Sequence, residues 1–242
     1  EGLIAMAAVG GYWAEEWHYP IWKKALSRLG FMSEMGCGHS GNGIWYGLKR
    51  YPATLLLYAL GISALKAGDK GISLLSLLLS TELLNEGRDD KRAVEVLPPI
   101  FLFLGQQTRL SGLLDGMEGQ KLPLNEWLLR LLYPFFKVSC ISQKEFRDQF
   151  DRLEILIAIC FRSGDFEGLI GRGVVAFGLF AWHDMFDPLG CLYPHIEEMD
   201  SVLARDGEGA VYIVSGLLGR SVKEARSNMA WIANQIEKIY SP

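Results

Sequence analysis

The chain has 242 residues, half of them apolar and 21% charged, with a formal net charge of −4. That balance excludes intrinsic disorder, which needs few apolar residues and a high net charge. It also argues against a dedicated nucleic-acid binder, which normally carries a basic patch, and four cysteines without a repeating spacing make no disulfide framework.

Helical punctuation recurs along the chain and strand punctuation hardly appears. The expected fold is therefore all-α, an irregular helical bundle or an α-solenoid-like array. Pro20 stands at a first-turn position, followed by Ile21, Trp22, Ala25, Leu26 and Leu29 on one face and Gly30 as a stop. Pro52 opens a second helix through Leu56, Leu60 and Ala64 to Gly68. Ser142-Gln143-Lys144-Glu145 is a capping box, after which Phe146, Phe150, Leu153, Ile157 and Cys160 fall at helical spacing. Pro194 predicts the start of a helix whose inner face is Ile196, Met199 and Leu203. Ser221-Val222-Lys223-Glu224 is a second capping box. Val222, Ala225, Met229, Ile232, Ile236 and Ile239 then form an apolar seam in alternating steps of three and four. The seam is expected to dock within the chain, on the helix opened by Ser142; the alternative is a partner helix.

The apolar charge-free stretches 51–65 and 96–108 fall short of the ~20 residues a membrane-spanning helix needs, and read as buried core helices. The polar segment 85–92 and the segment 112–121 read as inter-helix loops, too short for linkers. Residues 1–242 are taken as a single helical domain. The opening Glu1-Gly2-Leu3-Ile4-Ala5 has neither an initiator Met nor a basic n-region, so the expectation is a piece of a larger or trimmed cytoplasmic protein.

Two segments echo one another. Leu60-Gly61-Ile62-Ser63-Ala64-Leu65-Lys66-Ala67-Gly68-Asp69-Lys70 and Leu156-Ile157-Ala158-Ile159-Cys160-Phe161-Arg162-Ser163-Gly164-Asp165-Phe166 each place a glycine suited to end one helix and an aspartate suited to cap the next. That is the grammar of a tight antiparallel helical hairpin. These residues resemble tetratricopeptide-type hairpins, although no 34-residue period runs through the chain. The run Trp45-Tyr46-Gly47-Leu48-Lys49-Arg50-Tyr51-Pro52-Ala53-Thr54-Leu55-Leu56-Leu57-Tyr58-Ala59-Leu60-Gly61 resembles the helical C-terminal region of some bacterial multidomain antiphage-defence proteins. In those proteins a Sir2-like, TIR-like or nucleotide-binding effector precedes the helical region. The resemblance implies a defence context and carries no active site to this chain.

Gly36-Cys37-Gly38-His39-Ser40-Gly41 satisfies G-x-G-x-x-G literally. No strand precedes it, and Leu60 and Gly61 stand where an acidic ribose partner belongs, so no dinucleotide site is expected. A loop between helices is the default for Gly36–Gly43; a ligand-contacting loop is the alternative. Cys37-Gly38-His39 and Cys191-Leu192-Tyr193-Pro194-His195 together hold two sulfurs and two imidazoles, a set zinc accepts. A one-residue gap between ligands is tight, so no metal is expected. Cys191 is then small buried filler and His195 lies near a helix N-terminus. His18 reads as a helix-junction residue and His183-Asp184 as the end of the apolar run 174–182. The adjacent acidic pairs Glu15-Glu16, Asp89-Asp90 and Glu197-Glu198 read as solvated surface.

No catalytic motif occurs, so no catalytic residue or cofactor is assigned. Trp13, Trp17 and Trp22 follow one another at spacings of four and five. Packed inside they are core; partly exposed they make an interaction patch. The candidate interaction surface is Trp13, Trp17 and Trp22, together with Ile232 and Ile236 of the C-terminal seam. The expected function is a helical interaction or sensor scaffold of a larger bacterial protein. Its partner would be another protein, its own N-terminal effector domain or a second copy, with no nucleic acid and no membrane. The alternative is an enzyme or small-ligand-binding domain with an aromatic pocket and the Gly36–Gly43 loop.

Overall fold

The computed structural model describes residues 1–32, 43–83, 91–98, 124–137, 142–162 and 188–240. Among them are ten α-helices, two 3-10 turns and one two-stranded sheet, so the fold is all-α as the punctuation predicts. The chain divides into two compact units, Glu1–Arg147 and Asp148–Pro242.

In the first unit, α1 (Gly2–Gly10), α2 (Tyr19–Met32) and α4 (Asp69–Leu79) pack on the long α3 (Gly43–Lys66). The short α5 (Ala93–Val96) lies against α4, and α6 (Leu124–Phe136) meets α1 and α3. From Ala53 to Leu65 nearly every α3 residue is buried, as a helix apolar on all sides must be. No described helix is long and apolar enough to cross a membrane. Two buried hydroxyls tie the hub to its neighbours: Ser63 Oγ donates to the Ala8 carbonyl at 2.6 Å and Thr54 Oγ1 to the Leu97 carbonyl at 2.7 Å.

Gly68 takes the left-handed turn its sequence predicts, with φ +71°, and joins α3 to α4. Asp69 does not cap α4. It is the first helical residue and makes no side-chain cap bond, leaving only its charge near the helix N-terminus in its favour. The second echo, around Gly164-Asp165, lies outside the described residues, and no repeating array of hairpins emerges from those that are described.

Four boundary readings are corrected. Pro52 lies inside α3 and Pro194 inside α8 (Pro188–Asp206), and neither starts its helix. Both prolines sit on exposed sides, where the ring obstructs no packing and water can serve the unpaired carbonyl. Gly30 does not stop α2, which runs on to Met32; a Cβ there would lie 2.8 Å from Leu83 Cδ2, so the glycine permits close approach. Part of the polar loop expected over 85–92 is strand. Lys91–Arg92 pairs antiparallel with Glu82–Leu83, setting Glu82 opposite Arg92.

The division between units falls within α7 (Gln143–Arg162). In the second unit the rest of α7 accompanies α8, the short α9 (Val211–Val214) and α10 (Val222–Tyr240). Both capping boxes form by half. The Glu145 N–H donates to Ser142 Oγ and the Glu224 N–H to Ser221 Oγ, at 3.1 and 3.2 Å. The glutamates do not reach back to those serines: Glu145 pairs with Lys66 at 3.2 Å, and Glu224 accepts the Arg220 N–H at 2.8 Å.

Ala225, Met229, Ile232 and Ile236 of the α10 seam are buried. The seam was expected to dock on the helix opened by Ser142, which is α7. It packs instead on α8, whose Leu192, Met199 and Leu203 offer a matching buried stripe. The end of α7 meets α10 through Arg162, which donates to the Ser227 carbonyl and stacks over Trp231 at 5.1 Å.

Candidate functional site

α1 wears its side chains in an unusual order. Along α1 and the turn that follows it the buried residues are small: Ala7 and Ala8 within the helix, Gly11 and Ala14 just beyond it. A Cβ on Gly11 would lie 2.7 Å from the Leu60 carbonyl oxygen, so the two backbones are nearly in contact. The large residues point away from the core: Leu3, Met6, Val9, Tyr12 and Trp13 are exposed. Trp13 is 68% exposed and meets Tyr12 edge-on, with ring centroids 5.1 Å apart.

The surface continues through the 3-10 turn Glu16–His18, where Trp17 is 70% exposed and stacks on the His18 imidazole at 3.6 Å. This turn is firmly held. The Glu15 N–H donates to His18 Nδ1 at 3.0 Å, and the His18 N–H to the Glu15 carbonyl at 2.8 Å. Lys70 donates to both Glu15 carboxylate oxygens at 3.0 and 3.1 Å, and the Tyr19 hydroxyl to the Lys70 carbonyl at 2.7 Å. With Ile21, seven of the ten exposed large apolar residues among those described fall within residues 3–21. Such concentration sets them apart from the scattered surface leucines of any protein.

The predicted surface residues separate accordingly. Trp13 and Trp17 are on this face. Trp22 is half-buried and packs under α1, where a Cβ on Gly10 would come within 2.4 Å of its ring. Ile232 and Ile236 are fully buried in their own unit, so the seam is spent inside the chain and is not open to a partner helix.

His195, expected near a helix N-terminus, sits mid-helix in α8 because that helix begins at Pro188. It is only 8% exposed, and its Nε2 lies 3.7 Å from Asp148 Oδ1. Arg152 beside it donates to the Tyr212 hydroxyl at 2.6 Å and pairs with Glu198 at 3.0 Å, while Asp151 and Glu154 are buried on α7. Burial lowers the His195 pKa and Arg152 adds to that effect, against the opposing pull of Asp148, Asp151 and Glu198. The imidazole is therefore neutral at pH 7. A neutral imidazole near a carboxylate has the chemistry of a general base. The open groove of this unit, between α8 and α10, does not include His195 in its lining. The cluster reads as a polar tie between α7, α8 and α9.

Among the described residues, no group of three or more His, Cys, Asp and Glu is arranged to hold a metal ion. Cys37, His39, His183, the loop residues 36–42 and the Cys191 side chain lie outside the described set. Sequence reasoning missed the inverted order of α1. The signal was available: small residues at 7, 8, 11 and 14 trace one helical stripe, and the large ones trace its complement. The chain matches no protein-family model, no curated protein and no solved structure.

Proposed function

We propose that this chain is a helical interaction scaffold or sensor region of a larger bacterial cytoplasmic protein, in an antiphage-defence setting, binding a protein partner or its own effector domain. The observation that carries the proposal is the outward aromatic face of α1 and its following turn, with Trp13 and Trp17 more than two-thirds exposed. Tryptophan supplies large contact area and dominates interface hot spots. The defence setting rests on the resemblance of residues 45–61 alone.

The test is the double variant Trp13→Ser/Trp17→Ser in the full-length parent, compared with wild type by copurification and sedimentation velocity. The expected result is unchanged helicity and unfolding midpoint, with association lost. Association that survives in a folded variant sinks the proposal. So does a large fall in unfolding midpoint, because these tryptophans would then be holding the fold.

A further inference from the structure

The second unit carries a different surface. An open groove of about 710 Å³ runs between α8 and α10. Two cross-helix contacts mark its ends: the Tyr193 hydroxyl donates to Glu237 Oε1 at 3.3 Å, and Arg226 Nε to Asp200 Oδ1 at 2.7 Å. Pairing 193 with 237 and 200 with 226 shows the helices to be antiparallel there. From Tyr193 to Asp200 the groove covers seven residues, roughly 10 Å at helical rise.

Its floor is apolar and low. Ile196 comes from α8, while Met229, Ala230 and Ala233 come from α10, where the alanines leave room that longer side chains would fill. Its rim is acidic. Asp200 is neutralised by Arg226. Glu197 and Glu237 are exposed on facing helices, and neither has a cation partner among the described residues. An apolar floor between two carboxylates that no described cation neutralises is complementary to one kind of occupant.

We infer that this groove docks a short basic amphipathic protein segment, about two helical turns long, placing one or two apolar anchors over Ala230 and Ala233 and Lys or Arg against Glu197 and Glu237. Helix-in-groove binding reads out an apolar stripe, and the charged rim supplies orientation and partner choice. This surface does not depend on the aromatic face of α1.

The test pans a random 12-residue peptide library against the full chain, and measures the enriched peptides by fluorescence anisotropy. The expected winners interleave Lys or Arg with Leu, Ile or Phe. Their affinity falls by roughly tenfold or more in Glu197→Lys/Glu237→Lys, weakens with added salt, and is unchanged in Trp13→Ser/Trp17→Ser. Both glutamates are exposed, so the reversal variant keeps its circular dichroism; Glu197→Gln/Glu237→Gln gives an intermediate loss. The inference is overturned if no peptide is enriched, if the winners are acidic or uncharged, or if charge reversal leaves their affinity intact. It is equally overturned if binding follows the tryptophans, which locates the peptides on α1.

Discussion

The hairpin between α3 and α4 depends on one atom that is not there. Gly71, in the first turn of α4, lies so close to α3 that a Cβ would sit 1.7 Å from the Ala64 carbonyl oxygen and 2.4 Å from its carbon. Real Cβ contacts stay beyond 3.0 Å, so Gly71→Ala must open the hairpin by about 1.3 Å. The obstacle is backbone, and no rotamer change relieves it. Overpacking typically costs about 1–3 kcal/mol, and an obstacle of backbone puts this case near the upper end, whereas helix propensity by itself favours alanine over glycine by roughly 1 kcal/mol. The two effects have opposite signs, which makes the sign decisive. Thermal unfolding followed at 222 nm should show the first unit's midpoint fall by roughly 4–8 °C for a net loss of about 2 kcal/mol. Gly209→Ala is the control, since nothing lies within 4 Å of a Cβ there, and its change should stay within about 0.5 kcal/mol. A Gly71→Ala chain as stable as wild type, or more stable, would refute the close approach of the two helices.

Gly68→Ala forces a side chain into φ +71° and should cost about 1–2 kcal/mol in denaturant titration, with no steric contact to blame. Ile236→Ala should cost about 2–5 kcal/mol through lost transfer energy and a cavity. Ile236→Asp should unfold the second unit cooperatively at markedly lower temperature; unchanged stability would mean the seam is not packed inside the chain. His195 has a folded-state pKa below its unfolded value, so below about pH 6.5 the unfolded chain binds more protons. Its contribution is complete above that pH and is lost as the pH falls toward the folded pKa. The stability gap between wild type and His195→Gln should therefore narrow on acidification, and a gap that widens rejects the buried neutral imidazole.

The parts of this fold that were legible in the sequence are those decided within a few residues. Ser142 and Ser221 cap their helices, Gly68 turns left-handed, and the three-and-four rhythm of Ala225, Met229, Ile232 and Ile236 is the buried stripe of α10. The misread parts are those decided by tertiary neighbours. Pro52 and Pro194 look like starts because proline lacks a donor, yet on an exposed helix side that deficit does not interrupt the fold. Gly30 looks like a stop until Leu83, more than fifty residues away, is seen resting on it. Glu145 leaves its box for Lys66, a partner no local motif announces. At the candidate surface the tryptophan spacing pointed to the right region. Which tryptophan packs and which stands free was settled by the position of Gly10.

The order of side chains on α1 also sets how firmly that helix is attached. Its core-facing stripe buries methyl groups and glycine, each removing little apolar area from water, so the transfer energy holding it to α3 is small for its length. The hydrogen bond from Ser63 to the Ala8 carbonyl aligns the helix and adds about 1 kcal/mol. Amide protons of α1 should accordingly exchange well before those in the middle of α3, through local opening that leaves the rest of the unit intact. Anything that covers Met6, Trp13 and Trp17 adds its binding energy to that opening equilibrium, so protection of the α1 amides doubles as a built-in gauge of occupancy.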